Sequence, residues 1–218
     1  MDDVERFTMF LSTTYPRGCF RFFVNGDIKK NEIFCVKDVN ASSKYSIYRG
    51  NWDDFLKYAR NLVQGYPDQN IYISHCSFEE KNGVIDITAE YVSECGIIDI
   101  DIDHFDRLDM VNYNLRFRDR IFSPFLVMWS GHGYHLFYRL TYPVLAKVYK
   151  DIAYKFFMKV FAPNNMQILR YVDRSSFTPG HLTRLPGSWN AKAELIQTKL
   201  LDIDYGGEFD VDVEAIRS

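Results

Sequence analysis

Three aspartates stand on alternate residues behind an apolar run, Gly96-Ile97-Ile98-Asp99-Ile100-Asp101-Ile102-Asp103. Strict alternation is the period of a β-strand, so Ile97, Asp99, Asp101 and Asp103 share one face and Ile98, Ile100 and Ile102 the other. Carboxylates at that spacing lie roughly 6–7 Å apart and repel one another unless a positive charge sits between them. A divalent cation meets that need, and hard oxygen ligands suit magnesium or manganese. The competing reading is a solvated strand face that is simply acidic.

Two further sets carry residue types suited to phosphate chemistry. Ser130-Gly131-His132-Gly133-Tyr134-His135 lies between two apolar runs. Its glycines let the backbone approach a ligand and present N–H groups, His135 is placed to donate to a phosphate, and Ser130 adds a hydroxyl. A tight hairpin with a core histidine explains the same residues equally well. The third set is Asp173 followed by Thr183-Arg184-Leu185-Pro186-Gly187-Ser188-Trp189-Asn190. Arg184 is a permanent cation with a planar fork that matches a triphosphate, and Pro186-Gly187 imposes a turn that aims Arg184 and Asn190. Alone, this set also reads as an ordinary loop with a surface arginine.

Strands and helices must bring these sets together. The patterning predicts strands over 21–24 and 32–36 joined by the Asn25-Gly26-Asp27 turn, and a short strand over 45–48. Asn51 is an N-cap for a helix over 52–64 with the apolar stripe Phe55, Leu56, Ala59, Leu62 and Val63. Further strands are expected over 71–74, 90–102, 125–129, 134–138 and 168–172, and helices over 110–122 and 144–161. The mixture is α/β or α+β.

A 47% hydrophobic, 17% aromatic chain of 218 residues has the means to build a substantial core. No apolar stretch approaches the ~20 residues of a membrane helix, and the acidic N-terminus lacks the form of a signal peptide, so a cytoplasmic protein is expected. Cys19, Cys35, Cys76 and Cys95 are far apart in sequence. They imply neither a zinc site nor a disulfide framework, and reduced thiols are the expectation. Charge is segregated: residues 70–113 hold ten acids against two bases, and residues 114–200 hold thirteen bases against four acids. Carboxylates for metal beside cations for phosphate suit an enzyme acting on a polyanion.

In this order, D-x-D on a strand, then S-G-x-G-x-H, then a lone Asp followed by R-L-P-G-S resembles the archaeo-eukaryotic primase superfamily. The likeness covers roughly residues 20–200 and is strongest to the primase small catalytic subunit and to plasmid or phage primase-polymerases. It implies an N-terminal α/β lobe packed on an RRM-like β-sheet lobe. The whole chain would be one catalytic domain with lobes near 1–90 and 91–200 and an acidic tail over 201–218. The family's first motif matches Asp99 and Asp101 and its third carboxylate matches Asp173, which makes these the implied metal ligands and catalytic residues. A shifted pairing of Asp101 with Asp103 is the competing register. Ser130, Gly131, His132, His135 and Arg184 match the nucleotide-binding positions, and Ser188 and Asn190 sit where the family often has a serine and a histidine.

The resemblance implies template-directed nucleotidyl transfer with two magnesium or manganese ions, single-stranded DNA as template, a primer, and nucleoside triphosphates. A large primase subunit, a helicase or another replication protein would be the partner, in the nucleoid. Arg116, Arg118 and Arg120 are candidates for tracking the template. The chain departs from the family in three ways. His132 stands where the small subunits carry arginine, the turn is one residue shorter, and the family's zinc-binding cysteine cluster is missing, so no zinc is expected. Asp202-Ile203-Asp204 repeats the first motif without a matching partner. Two other functions remain open on sequence: a two-metal nuclease or phosphoesterase, and a non-catalytic nucleic-acid-binding module on the same fold.

Overall fold

Asn51 illustrates how local chemistry sets an element. Its side chain accepts from the Asp54 amide at 3.0 Å while Asp54 accepts from the Asn51 amide at 3.1 Å. This reciprocal cap is worth about 1 kcal/mol and starts the helix where the sequence places it. The structure, a computed structural model, describes residues 1–37, 39–103, 124–161, 170–192, 194–201 and 210–217.

The elements run α1 (Asp3–Thr14), β1 (Cys19–Asn25), β2 (Lys29–Cys35), β3 (Ser46–Arg49), α2 (Trp52–Gly65), β4 (Asn70–Ser74), β5 (Ser77–Phe78), β6 (Glu80–Lys81) and β7 (Val84–Ile85). They continue with β8 (Val92–Asp103), β9 (Leu126–Trp129), β10 (Gly133–Leu145), α3 (Ala146–Phe161), β11 (Leu182–Arg184), β12 (Trp189–Asn190), β13 (Ile196–Gln197), β14 (Lys199–Leu200) and α4 (Val213–Arg217). The expected helix over 110–122, with Arg116, Arg118 and Arg120, lies outside the described residues, as do Asp202 and Asp204.

Among the described residues the fold is α+β around a large mixed sheet, ordered β13-β12-β4-β1-β5-β8-β10-β9-β14, with β11 beside β4, β2 beside β1 and β3 beside β2; β6 and β7 form a separate two-stranded sheet. Two apolar clusters pack it. One joins Phe7, Phe10 and Leu11 of α1 and Phe55 and Ala59 of α2 to Phe20, Phe22, Ile71, Ile73, Ile97 and Phe137 of the strands. The other joins Tyr149, Ile152, Phe156 and Phe157 of α3 to Ile98, Ile100, Ile102, Leu136 and Tyr138. The apolar lead-in of β8 therefore serves both clusters, as expected of a strand buried on two faces.

Two findings depart from the sequence expectations. Helix α1 was not anticipated. Asp2 caps it by accepting from Glu5 N at 2.8 Å, and Val4, Phe7, Phe10 and Leu11 form its buried stripe. The cysteines are not reduced thiols: Cys19 is bonded to Cys35 and Cys76 to Cys95, with Cα separations of 4.0 and 4.5 Å. The reason is strand pairing. Cys19 stands directly opposite Cys35 in the β1–β2 register, so chain neighbours in space are 16 and 19 residues apart in sequence.

Candidate active site

The β8–β10 register builds the site. Gly133 lies opposite Asp103, His135 opposite Asp101 and Phe137 opposite Asp99. In-register partners share a face, so the aspartates and His135 project together. A Cβ on Gly133 would collide with the Ile102 carbonyl, which is why the strand end tolerates only glycine there.

The chain before Asp173 then adds to the free edge of β8. Asp103 N donates to Tyr171 O at 2.7 Å and Asp173 N donates to Asp101 O at 2.9 Å. This brings Asp173 beside the strand end, and one carboxylate oxygen from each of Asp101, Asp103 and Asp173 lies within 4.8 Å of the others. Asp173 is fixed by its own turn, accepting from Ser175 N at 2.8 Å and Ser175 Oγ at 2.7 Å. Three converging carboxylates, one of them exposed and two half-buried, fit a hard divalent cation such as magnesium or manganese.

The geometry corrects the expected grouping of Asp99 with Asp101 and Asp173; it is the shifted register that comes together. Asp99 is fully buried, and both its oxygens face His135 Nδ1, at 3.2 and 3.1 Å. His135 Nε2 lies 3.7 Å from Asp101 Oδ1, Thr183 Oγ1 lies 3.3 Å from Nδ1, and the ring stacks on Phe137 at 6.0 Å. Asp99 is therefore a counter-ion of a buried histidine, set apart from the Asp101–Asp103–Asp173 cluster.

The charges follow from this packing. Burial works against the His135 cation, but Asp101 and Asp99 outweigh it and push its pKa up to about 9. Burial also raises Asp99, yet His135 holds it below the ordinary carboxylate value. Asp101 goes the other way: burial, with Asp99, Asp103 and Asp173 around it, pushes it up to about 7 against the pull of His135. The outer end of β8 thus holds more negative charge than the protein neutralises.

The remaining expected site residues fall into two groups. Arg184 is 9% exposed, donates to Asn70 Oδ1 at 2.6 Å and lies 5.1 Å over the Tyr72 ring. Burial lowers its pKa, while Tyr72, Asp101 and Asp103 act in the opposite sense. The others build turns. Ser130 Oγ donates to Gly133 O at 3.1 Å, Gly131 supplies a left-handed φ of +96°, and His132 Nε2 is 3.0 Å from Lys192 O. Ser188 Oγ donates to Leu185 O at 2.6 Å, and Asn190 Nδ2 donates to Ser130 O at 2.6 Å, tying the two loops together.

Sequence reasoning missed Thr183, Ser175, His75 and His181. His181 Nδ1 sits 3.3 Å from Ser175 Oγ, behind Asp173. His75 is fully buried, with Nε2 3.0 Å from Tyr149 Oη, and burial pushes its pKa down to about 4. Ser175, two residues after Asp173, and Thr183, next to Arg184, were marked only by that adjacency, whereas no spacing links His75 or His181 to the aspartates.

No family model matches the chain, and no curated protein matches it in sequence. Solved structures do match in fold. The AEP domain of the cyanophage S-2L primase-polymerase aligns with a TM-score of 0.61 at 10% identity, over 99% of this chain and 95% of that one. The catalytic domain of primase RepB′ in complex with initiator DNA aligns with a TM-score of 0.55 at 14% identity, over 99% and 92%. The polymerase domain of Mycobacterium tuberculosis ligase D in complex with DNA aligns with a TM-score of 0.50 at 12% identity, over 98% and 84%. The chain has the fold of these catalytic domains, the fold the motif resemblance implies.

Proposed function

We propose that this chain is a template-directed nucleotidyltransferase of the archaeo-eukaryotic primase superfamily, a primase or primase-polymerase acting on single-stranded DNA. One observation carries the reading: Asp101, Asp103 and Asp173 converge within 4.8 Å on a fold shared with primase and polymerase domains. Two divalent ions held by these aspartates would supply activation of the attacking 3′-hydroxyl and charge neutralisation at the triphosphate.

The protein's own groups do the rest. His135, held as a cation by Asp99 and Asp101, presents a fixed N–H donor at the edge of the cluster. Arg184 brings a second cation with no carboxylate within ion-pair distance among the described residues, so its charge is available to phosphate. Both are pre-oriented, and preorganised charge costs no rearrangement as negative charge develops on the triphosphate. Ser188, Asn190 and Ser130 contribute by fixing the loops around them. On this reading the chain forms two lobes, the second RRM-like, and the partners are template, primer and nucleotides, with a helicase or large primase subunit beside them in the nucleoid. No helix among the described residues is long and apolar enough to cross a membrane.

The test is synthesis on a circular single-stranded template with labelled ribo- and deoxynucleotides, in magnesium and in manganese. Dinucleotides or extended primers are expected. Shortening of the template with no incorporation would instead establish the two-metal nuclease, and binding without either reaction would establish a non-catalytic module.

A further inference from the structure

The three acids of the cluster are not held alike. Asp101 and Asp103 ride on β8, whereas Asp173 follows the bridge of Val172 to Ile102 and caps a 3-10 turn over Arg174–Phe177. The bond from Asp173 N to Asp101 O fixes the backbone, but it leaves the carboxylate free to rotate. Ser175 removes that freedom. Its N–H donates to Asp173 Oδ1 at 2.8 Å and its hydroxyl to Oδ2 at 2.7 Å, one bond to each oxygen. Each carboxylate oxygen keeps a second lone pair, so both can still face a cation.

The Ser175 hydroxyl has one proton and two acceptors to choose from, Asp173 Oδ2 and His181 Nδ1, the latter 3.3 Å away. The His181 tautomer decides between them. With the proton on Nε2, Nδ1 competes for the hydroxyl, and Nε2–H is a buried donor with no partner among the described residues. With the proton on Nδ1, the ring donates to Ser175 Oγ and the hydroxyl must turn to the carboxylate. The second arrangement avoids an orphaned N–H and makes the charge-assisted bond. Packing alone does not call for a histidine here, because its buried Nε2 carries a cost that a phenylalanine would not. His75 backs the ring at 6.3 Å. It is tied through Nε2 to Tyr149 Oη, which donates to Ile97 O of β8. The ring behind the loop acid therefore packs against groups anchored to the strand that carries the other two.

We infer that Ser175 and His181 are positioning residues for Asp173: His181 Nδ1–H locks the Ser175 hydroxyl onto the carboxylate and so aims it at the cation shared with Asp101 and Asp103. The consequence for nucleotide incorporation rests on the nucleotidyl-transfer reading; the consequence for metal affinity does not.

Calorimetric Mn2+ titration of the full chain without nucleotide tests the inference, with thermal unfolding of the metal-free protein alongside. Ser175→Ala should weaken Mn2+ binding about 10- to 100-fold, and Ser175→Thr, which keeps the hydroxyl, should stay close to wild type. His181→Phe, one bond further away, should weaken it about 2- to 12-fold, the worth of one neutral hydrogen bond, without lowering the metal-free melting temperature. His181→Asn, whose amide places a donor where Nδ1 stands, should restore the affinity. In incorporation assays each loss should shrink as the metal is raised to saturation. Wild-type affinity in both Ser175→Ala and His181→Phe, or no Mn2+ binding by the wild-type chain, would overturn the inference. So would a His181→Phe protein that loses affinity only as it loses stability, or a defect that His181→Asn shares, since either marks a purely structural role. Mn2+ binding that responds to these variants in a chain that incorporates no nucleotide would remove the nucleotidyl-transfer reading and leave the positioning residues standing. Normal incorporation with metal affinity insensitive to Ser175 and His181 would do the reverse.

Discussion

The two ends of β8 carry the same residue on the same face and use it in opposite ways. At the inner end Asp99 lies opposite Phe137, which packs against Phe7 of α1, and its charge is spent on His135. At the outer end Asp101 and Asp103 run past the core and meet Asp173, and their charge is left over. What differs is the element that crosses the strand: a helix and an aromatic layer at one end, a second acidic segment at the other. A carboxylate under a helix must find a cation inside the protein, whereas carboxylates gathered at an edge can take one from solution.

The sharpest way to break this contrast is at the outer end. Asp101→Asn should lower nucleotide incorporation by more than the roughly 10–100-fold cost of disturbing a group that only supports a metal ligand. The metal-free fold should hold or gain stability. The Asp101 pKa, about 7 in the folded chain against 3.8 unfolded, means that its ionised form costs stability at and above neutral pH. Incorporation assays and thermal unfolding of the same preparation check both.

Asp99→Asn should do the opposite. It removes one of the two carboxylates that hold His135 as a cation and should cost about 3–5 kcal/mol by urea unfolding, while Mn2+ titration below the unfolding transition shows affinity close to wild type. If Mn2+ binding vanished in a folded Asp99→Asn protein, Asp99 would be a ligand and the contrast between the ends would collapse.

Cys95 begins the inner half of β8, bonded to Cys76 across 19 residues. Reduction with dithiothreitol, which opens this bond and Cys19–Cys35 together, should cost about 3 kcal/mol per bond through the entropy of the unfolded chain and leave the acidic cluster in place. Thiol counting by mass spectrometry before and after treatment, with unfolding curves, tests whether the staple supports the inner end alone.

The mildest probe is pH. Asp101 is uncharged below about 7 because burial and Asp99, Asp103 and Asp173 hold its proton against His135. Protons therefore compete with the metal, and Mn2+ affinity should fall about tenfold per pH unit below 7 and level off above it, one proton being displaced. Calorimetric titration from pH 5.5 to 8.5 follows the slope. A flat profile would mean that Asp101 is not the ligand that titrates.

Much of this was legible in the chain. The period of residues 97–103 gave a strand and its acidic face, Asn51 gave the start of α2, and the helix expected over 144–161 is α3 over Ala146–Phe161. The order of the three motifs pointed to the fold. The unread parts have a common cause. The cysteine pairs, the His75 and His181 positions behind the site, and the Arg184–Tyr72 contact all depend on which strands become neighbours, and that is not encoded in local periodicity.

Sequence alone determined that three carboxylates share one strand face, because side chains alternate in any strand. It also determined that Arg184 comes after Asp173 and just before a turn set by Pro186 and Gly187. Only the tertiary structure decided which two of the three β8 aspartates gather with Asp173. Alternation is the same at both ends of a strand, and burial is fixed by what packs across it: Phe137 and α1 over Asp99, and the segment ending in Asp173 beside Asp101 and Asp103.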